Sequence, residues 1–162
     1  MSVKDLHEKA LVGEAKAILR LKLFAEKADK EGYSQIAKLF RVISFSEEIH
    51  ATRNIKMLKE IKSTEENLKD SFQSEMKVAK VSYNNYIKTA NNEGEKLSAK
   101  IFTQSKDVET YHAKLYQKAL NHMAEEKETT YYVCKECGYV SDTYLPEKCP
   151  VCNVDKAHFI SF

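Results

Sequence analysis

Two short runs, Glu47-Glu48-Ile49-His50-Ala51 and Glu109-Thr110-Tyr111-His112-Ala113, each set a carboxylate three residues before an imidazole. On a helix, residues i and i+3 share a face, so each Glu–His pair can grip one centre together. The runs are 62 positions apart, and two more acids, Glu14 and Glu75, sit on apolar stripes of other segments. Four unpaired carboxylates in one core layer would each lose hydration worth several kcal/mol and would repel one another. Two divalent cations relieve both costs, because four carboxylates balance two ions and the imidazoles complete their shells. One Glu from each of two helices plus Glu-x-x-His from each of two others is the di-iron carboxylate pattern. Its mixed nitrogen and oxygen donors suit iron or manganese better than a structural zinc. Such a centre activates O2 or peroxide, or oxidises Fe(II), and the ligands alone do not choose among these.

All four cysteines fall in one stretch, as Cys134-Lys-Glu-Cys137 and Cys149-Pro-Val-Cys152. Paired C-x-x-C knuckles at this spacing form a tetrathiolate metal site, and tetrahedral sulfur accepts either zinc or iron. Beside a di-iron centre, iron is the expected occupant, since it would return that centre to the diferrous state one electron at a time.

Helices must position the first set. Only Gly13 and Gly32 precede Gly94, and the first proline is Pro146. Such glycine-poor sequence, dense in Ala, Lys, Glu and Leu, is helical. Breaks at 29–33, 62–67 and 91–95 predict four helices over about 5–29, 33–62, 65–91 and 95–127, with Ser63 and Glu66 at capping-box spacing. Inward seams run through Leu11, Glu14, Ile18, Leu21, Ala25 and Ala28; through Ile36, Phe40, Ile43, Glu47, His50, Asn54, Met57 and Ile61; through Leu68, Phe72, Glu75, Ala79, Ser82 and Tyr86; and through Phe102, Ser105, Glu109, His112, Tyr116 and Ala119. Gly32 recurs as Gly94, Ala37 as Ala99 and Phe40 as Phe102, all offset by 62, so the halves read as a duplicated helical hairpin. Glu75 departs from this, lying 61 positions after Glu14.

After about Glu128 the texture turns to β-branched, aromatic and turn residues. A boundary within 125–130 divides a mainly α four-helix bundle, 1–128, from a small four-cysteine β domain, 129–162. The chain has 162 residues, of which 31% are charged and 43% apolar, and a net charge of +2 argues against a nucleic-acid or membrane partner. The start lacks the apolar core of a signal peptide, and no run approaches the roughly 20 apolar residues of a membrane span. A cytoplasmic protein is expected.

The segments "SEEIHA", "VETYHA" and "CKECGYVSDTYLPEKCPVC", with "GEAKAILRLKLFAEKADKEGYSQIAKLF", resemble rubrerythrins, in which a ferritin-like di-iron bundle is fused to a rubredoxin-like domain. The resemblance covers nearly the whole chain. It implies reduction of hydrogen peroxide to water in oxidative-stress defence, with electrons passed from an NAD(P)H-linked reductase through the rubredoxin-like iron. It also implies that Glu14 and His50 serve one iron, Glu75 and His112 the other, and that Glu47 and Glu109 bridge them. Two positions depart from the family. Val78 stands where a further ligand Glu, which exchanges with the histidine matched by His50, is usual. Leu21 replaces a tyrosine whose counterpart, Tyr83, is present. Without the exchanging Glu, a ferroxidase or O2-reducing oxidase is the alternative function.

In a ferritin-like bundle the second and third helices run the same way. The few residues between them cannot retrace a helix of roughly 40 Å at 1.5 Å per residue. The expected solution is a domain-swapped homodimer, each metal site combining the first hairpin of one chain with the second of another. An up-down-up-down bundle with a tight turn is the alternative.

Overall fold

The computed structural model describes residues 1–125 and 128–162. It divides into two compact units, Met1–Lys62 and Ser63–Phe162.

The first unit is an antiparallel hairpin of α1 (Val3–Lys30) and α2 (Ser34–Leu58). Ser2 and Asp5 form a capping box that satisfies the free N–H groups at the start of α1. Gly32, at φ 83°, turns the chain: its N–H reaches the Asp29 carbonyl at 3.0 Å, and the Tyr33 N–H reaches that of Ala28 at 2.9 Å. The helices meet on small residues. Ala25, Ala28 and Ala37 are buried against Phe40, whose ring meets Phe24 edge-on at 5.6 Å. The Ser44 hydroxyl donates to the Ile18 carbonyl at 3.1 Å, and Arg41 pairs with Asp29 across the hairpin.

Helix α2 stops at Leu58 rather than running to 62 as expected. Lys59 takes the left-handed conformation at φ 58°, with its N–H on the Lys56 carbonyl and that of Glu60 on Ile55. A helix closed by lysine instead of glycine has no compositional signature, which is why the periodic pattern overran it.

In the second unit, the rod expected over 65–91 consists of α3 (Thr64–Lys77), one π-helical turn (Val78–Ser82) and α4 (Tyr83–Asn92). The Ser63–Glu66 capping box is present as expected. Gly94, at φ 75°, leads into α5 (Lys96–Asn121). The expected end of this helix at 127 is too late. The chain leaves α-helical geometry at His122 and makes a 3₁₀ turn over Met123–Glu125, where His122 pairs with Glu125. Positions 126 and 127, within the expected domain boundary, lie outside the described residues. Beyond them a three-stranded antiparallel sheet forms in the order β2-β1-β3, from β1 (Tyr132–Cys134), β2 (Val140–Ser141) and β3 (Phe159–Ser161). Val133 pairs with Val140 on one side and Ile160 on the other.

The duplication is visible in the packing. Ala28 and Ala90, Ala37 and Ala99, and Ala51 and Ala113 are all buried. The Phe24–Phe40 contact recurs as Tyr86–Phe102, also at 5.6 Å. The expected seams are less buried than a closed bundle requires: Ile36 is 47%, Ile43 40% and Met57 64% exposed. A hairpin buries only one side of each helix, and here that side carries the alanines. Among the described residues, no helix is long and apolar enough to cross a membrane.

Left-handed residues give a direct test of the helix ends. Lys59→Gly should raise the unfolding free energy by about 1 kcal/mol, and Gly32→Ala should lower it by about 1–2 kcal/mol. Chemical denaturation of the two variants measures both.

Candidate metal centres

The first unit brings together Glu14 of α1 and Glu47 and His50 of α2, with potential ligand atoms all within 4.8 Å of one another. His50 Nδ1 lies 2.9 Å from Glu47 Oε2. A shared hydrogen bond with Glu47, followed by partial burial and Coulombic repulsion from Glu47, holds the Glu14 carboxyl above the ordinary carboxylate range, and His50 offsets only part of this. The second unit repeats the arrangement with Glu75 of α3 and Glu109 and His112 of α5. His112 Nδ1 is 3.0 Å from Glu109 Oε2. Burial first, then the hydrogen bond and charge of Glu109, push Glu75 up. Each triad lies within its own unit.

Glu75 is in phase despite its 61-residue offset, and the π turn explains how. Residues before it match the first hairpin at 61: Ser2 with Ser63, Asp5 with Glu66, Glu14 with Glu75. Residues after it match at 62: Phe24 with Tyr86, Ala28 with Ala90, Gly32 with Gly94. One residue has been inserted, and the wider turn at Val78–Ser82 absorbs it, closed by the Tyr83 N–H on the Val78 carbonyl. In an α-helix an extra residue would rotate Glu75 by about 100° away from its partners. The Asn84 side chain donates to the Lys80 carbonyl at 2.7 Å and accepts from Lys106 at 3.3 Å, tying the turn to α5. Val78 opens this turn, and Tyr83 packs on Tyr86 and Phe102.

His112 has a contact that no spacing foretold. Its Nε2 lies 3.1 Å from the carbonyl of Gly138, beside Cys137 in the first cysteine knuckle. A carbonyl only accepts, so Nε2 carries the proton, and in the neutral ring Nδ1 presents its lone pair to Glu109. Two electron-rich atoms 3.0 Å apart need a proton or a cation between them. A histidine oriented by a backbone carbonyl is the usual outer-shell arrangement of a metal ligand. Tyr139 stacks edge-on against Tyr111 with centroids 4.8 Å apart, and Lys118 pairs with Asp142, so the cysteine module is fastened to α5 by several contacts. These join segments more than twenty residues apart that share no periodicity, and the sequence held no signal for them.

The four cysteines converge as expected. Cys134 and Cys152 sulfurs are 3.7 Å apart, and those of Cys137 and Cys149 are 3.6 Å apart. A tetrahedral centre with metal–sulfur bonds of about 2.3 Å has sulfur–sulfur edges of about 3.8 Å. The backbone N–H groups of Tyr139, Val151 and Val154 point at sulfurs of Cys137, Cys149 and Cys152. Burial, with the neighbouring thiols, pushes Cys137 well above the ordinary thiol range. Burial also acts to raise Cys149, but the N–H groups of Cys152 and Val151 outweigh it and leave that thiol lowered. Both donor sets therefore fit cations: two carboxylate–imidazole triads for hard or intermediate divalent ions, and a thiolate tetrahedron for iron or zinc.

Two tests follow from this geometry. Because the folded-state pKa of Glu14 and Glu75 is raised, their contribution to metal-free stability is full below the unfolded-chain value and is lost as pH rises through the folded value. Glu75→Gln should therefore raise the metal-free Tm at neutral pH and abolish the further Tm gain from added Mn(II), read by calorimetry; an undiminished gain would remove Glu75 from the site. Separately, deleting Val81, exposed in the π turn, should leave a folded protein that still gains stability with Mn(II). Deleting its counterpart Leu19 from the regular α1 should abolish that gain.

Comparison with known proteins agrees with both halves of this description. The rubrerythrin family model matches residues 5–120, and the rubredoxin-like domain model of rubrerythrins matches residues 132–160. The chain is 32% identical to rubrerythrin-2 of Clostridium acetobutylicum over the full length of both, and 33% identical to a Porphyromonas gingivalis rubrerythrin over 93% of this chain and 84% of that one. A solved structure of nigerythrin in a partially reduced state superposes with a TM-score of 0.61 at 27% identity, covering 100% of this chain and 87% of that chain. The fold is mainly α and ferritin-like, with a small C-terminal rubredoxin-like part. The carboxylate and histidine residues of a di-iron site are present together with a four-cysteine site, and the chain belongs to the rubrerythrin family.

Proposed function

We propose that this protein is a non-haem di-iron peroxidase, reducing hydrogen peroxide to water with electrons delivered through an iron held by Cys134, Cys137, Cys149 and Cys152. The observation that carries this reading is the contact between His112 and the Gly138 carbonyl, which joins a candidate ligand to the cysteine knuckle directly. The balanced reaction takes one H2O2, two electrons and two protons to two waters. Iron bound by the triads would supply the two electrons. As the resemblance implies, Glu14 and His50 would hold one ion and Glu75 and His112 the other, with Glu47 and Glu109 shared between them and Tyr83 a candidate neighbour. An NAD(P)H-linked reductase is the expected donor, in the cytoplasm, and the functional division is 1–128 and 129–162.

We place the complete centre between two copies of the chain. Each triad sits in a separate unit, the connection spans only residues 59–63, and the seam around the first triad is exposed. A domain-swapped homodimer joining α1–α2 of one copy to α3–α5 of a second would cover that seam and assemble six ligands. Val78 favours a second reading. A valine cannot serve as a metal ligand, so His50 would have no exchange partner at this position, and an O2-reducing oxidase or ferroxidase would use the same groups.

The full chain loaded with iron should be red from its ferric tetrathiolate, bleach with dithionite and regain colour with peroxide, and it should sediment as a dimer. Rapid reoxidation by O2 with none by peroxide would transfer the assignment to the second reading. A monomer retaining both triad irons would rule out the swap. Val78→Glu should restore ligand exchange, seen as a changed coordination of the reduced iron.

A further inference from the structure

The residues from 128 onward form a module whose interior is its own candidate metal site. Its three strands have only three, two and three residues. Its buried side chains, among the described residues, are Cys134, Ser141, Pro146 and Cys149, while its valines and Phe159 are only half-buried. With so small an apolar core, a fold of this size takes its stability from the ion it holds, so order in the module depends on filling the tetrathiolate.

The Gly138 carbonyl belongs to that metal-ordered part. The Gly138 N–H donates to the Cys134 carbonyl at 2.9 Å, the Cys134 N–H donates to that of Tyr139 at 2.9 Å, and the Tyr139 N–H points at the Cys137 sulfur. A turn built on two candidate ligands therefore sets where the Gly138 oxygen lies, and that oxygen meets His112 Nε2 at 3.1 Å. The other ring nitrogen, Nδ1, is the one turned towards Glu109. An ion on Nδ1 leaves the ring proton on Nε2, and a carbonyl that accepts this proton orients the ring and makes Nδ1 a better donor to metal. His50 makes the matching contact with Glu47, but its ring has no such acceptor among the described residues. The module meets one face of α5, where Val108, Tyr111, His112 and Lys118 lie against Gly138, Tyr139 and Asp142.

We propose that an ion in the four-cysteine centre gives His112 its outer partner, and thereby tightens metal binding at Glu75, Glu109 and His112 while leaving Glu14, Glu47 and His50 unaffected. Gly138 is then a positioning residue, acting through its backbone on a ligand that another element carries. Linkage makes the effect reciprocal: an ion on this triad tightens the cysteine centre by the same factor. Loss of such an outer partner costs roughly 10–100-fold in metal affinity. The inference goes beyond the peroxidase reading, since it holds whichever oxidant the protein meets.

The test uses the full chain in two forms: stripped of metal with its thiols kept reduced, and carrying one equivalent of Zn(II), which thiolates take in preference to carboxylates. Titration with Mn(II), followed by the electron paramagnetic resonance of the free ion, counts the triad ions and their affinities. Zinc should tighten one of the two Mn(II) ions about tenfold and leave the other as it was. In the zinc-loaded chain without manganese, nitrogen-15 NMR should find His112 as its Nε2–H tautomer, and removing zinc should open that proton to exchange with solvent. Tyr111→Ala combined with Lys118→Ala removes two fastenings and no ligand. This variant should still take up zinc, but zinc should no longer change its Mn(II) affinity. Equal Mn(II) affinities with and without zinc in the unaltered chain would overturn the inference, whatever the variant does. So would an equal tightening of both ions, the mark of general stabilisation, or a full zinc effect in the double variant.

Discussion

Carboxylates and imidazoles held face to face are the constraint that the helices of this chain must satisfy. Glu14 against Glu47, and Glu75 against Glu109, form acid pairs that share hydrogen bonds only if one member keeps a proton. His50 and His112 present their Nδ1 atoms to the same acids at about the contact distance. In water such groups would separate. Here rigid helices hold them within 4.8 Å, and the helix-to-helix contacts on alanine and serine are the means. Small residues let α1 and α2 approach closely, which in turn brings their polar side chains together. A divalent cation is the one partner that converts this repulsion into attraction for both acids and the imidazole at once.

Phase follows from the same demand. A helix that must deliver Glu75 to α5 and Ala90 to the hairpin turn has two fixed points, and an inserted residue between them has to go somewhere. The π turn takes it locally, with the Asn84 side chain donating to the Lys80 carbonyl and itself accepting from Lys106. The fold thus tolerates a change of length in the middle of a ligand-bearing rod without moving either end. Val78, where the family resemblance implies a further ligand, sits at the opening of that turn.

The cysteine module is bound to the helical part by a carbonyl, a stacked tyrosine pair and an ion pair. The carbonyl belongs to the residue after Cys137, so the tetrathiolate and His112 are separated by one peptide unit and one hydrogen bond. Glycine suits position 138 because the turn holds it at φ 80°, the left-handed region that strains other residues, and Val108 lies at ordinary contact distance beside it. His50 has no such outer contact on its ring among the described residues; its backbone carbonyl accepts from the Asn54 side chain, whose oxygen meets His7 Nδ1. Two triads that are near copies in sequence are consequently unlike in what lies behind them.

Residue types and their spacing were sufficient for much of this. Glu-x-x-His written twice at an offset of 62, acids on apolar stripes and two C-x-x-C knuckles determined the helices, the candidate ligands and the four-cysteine cluster, because helical periodicity and metal chelation are both local in the chain. Tertiary structure alone decided the end of α2 at a left-handed lysine, the π turn that restores Glu75, and the fastening of the cysteine module to His112. These depend on backbone conformations open to many sequences and on contacts between distant segments, where no pattern of neighbouring residues records which atoms will meet.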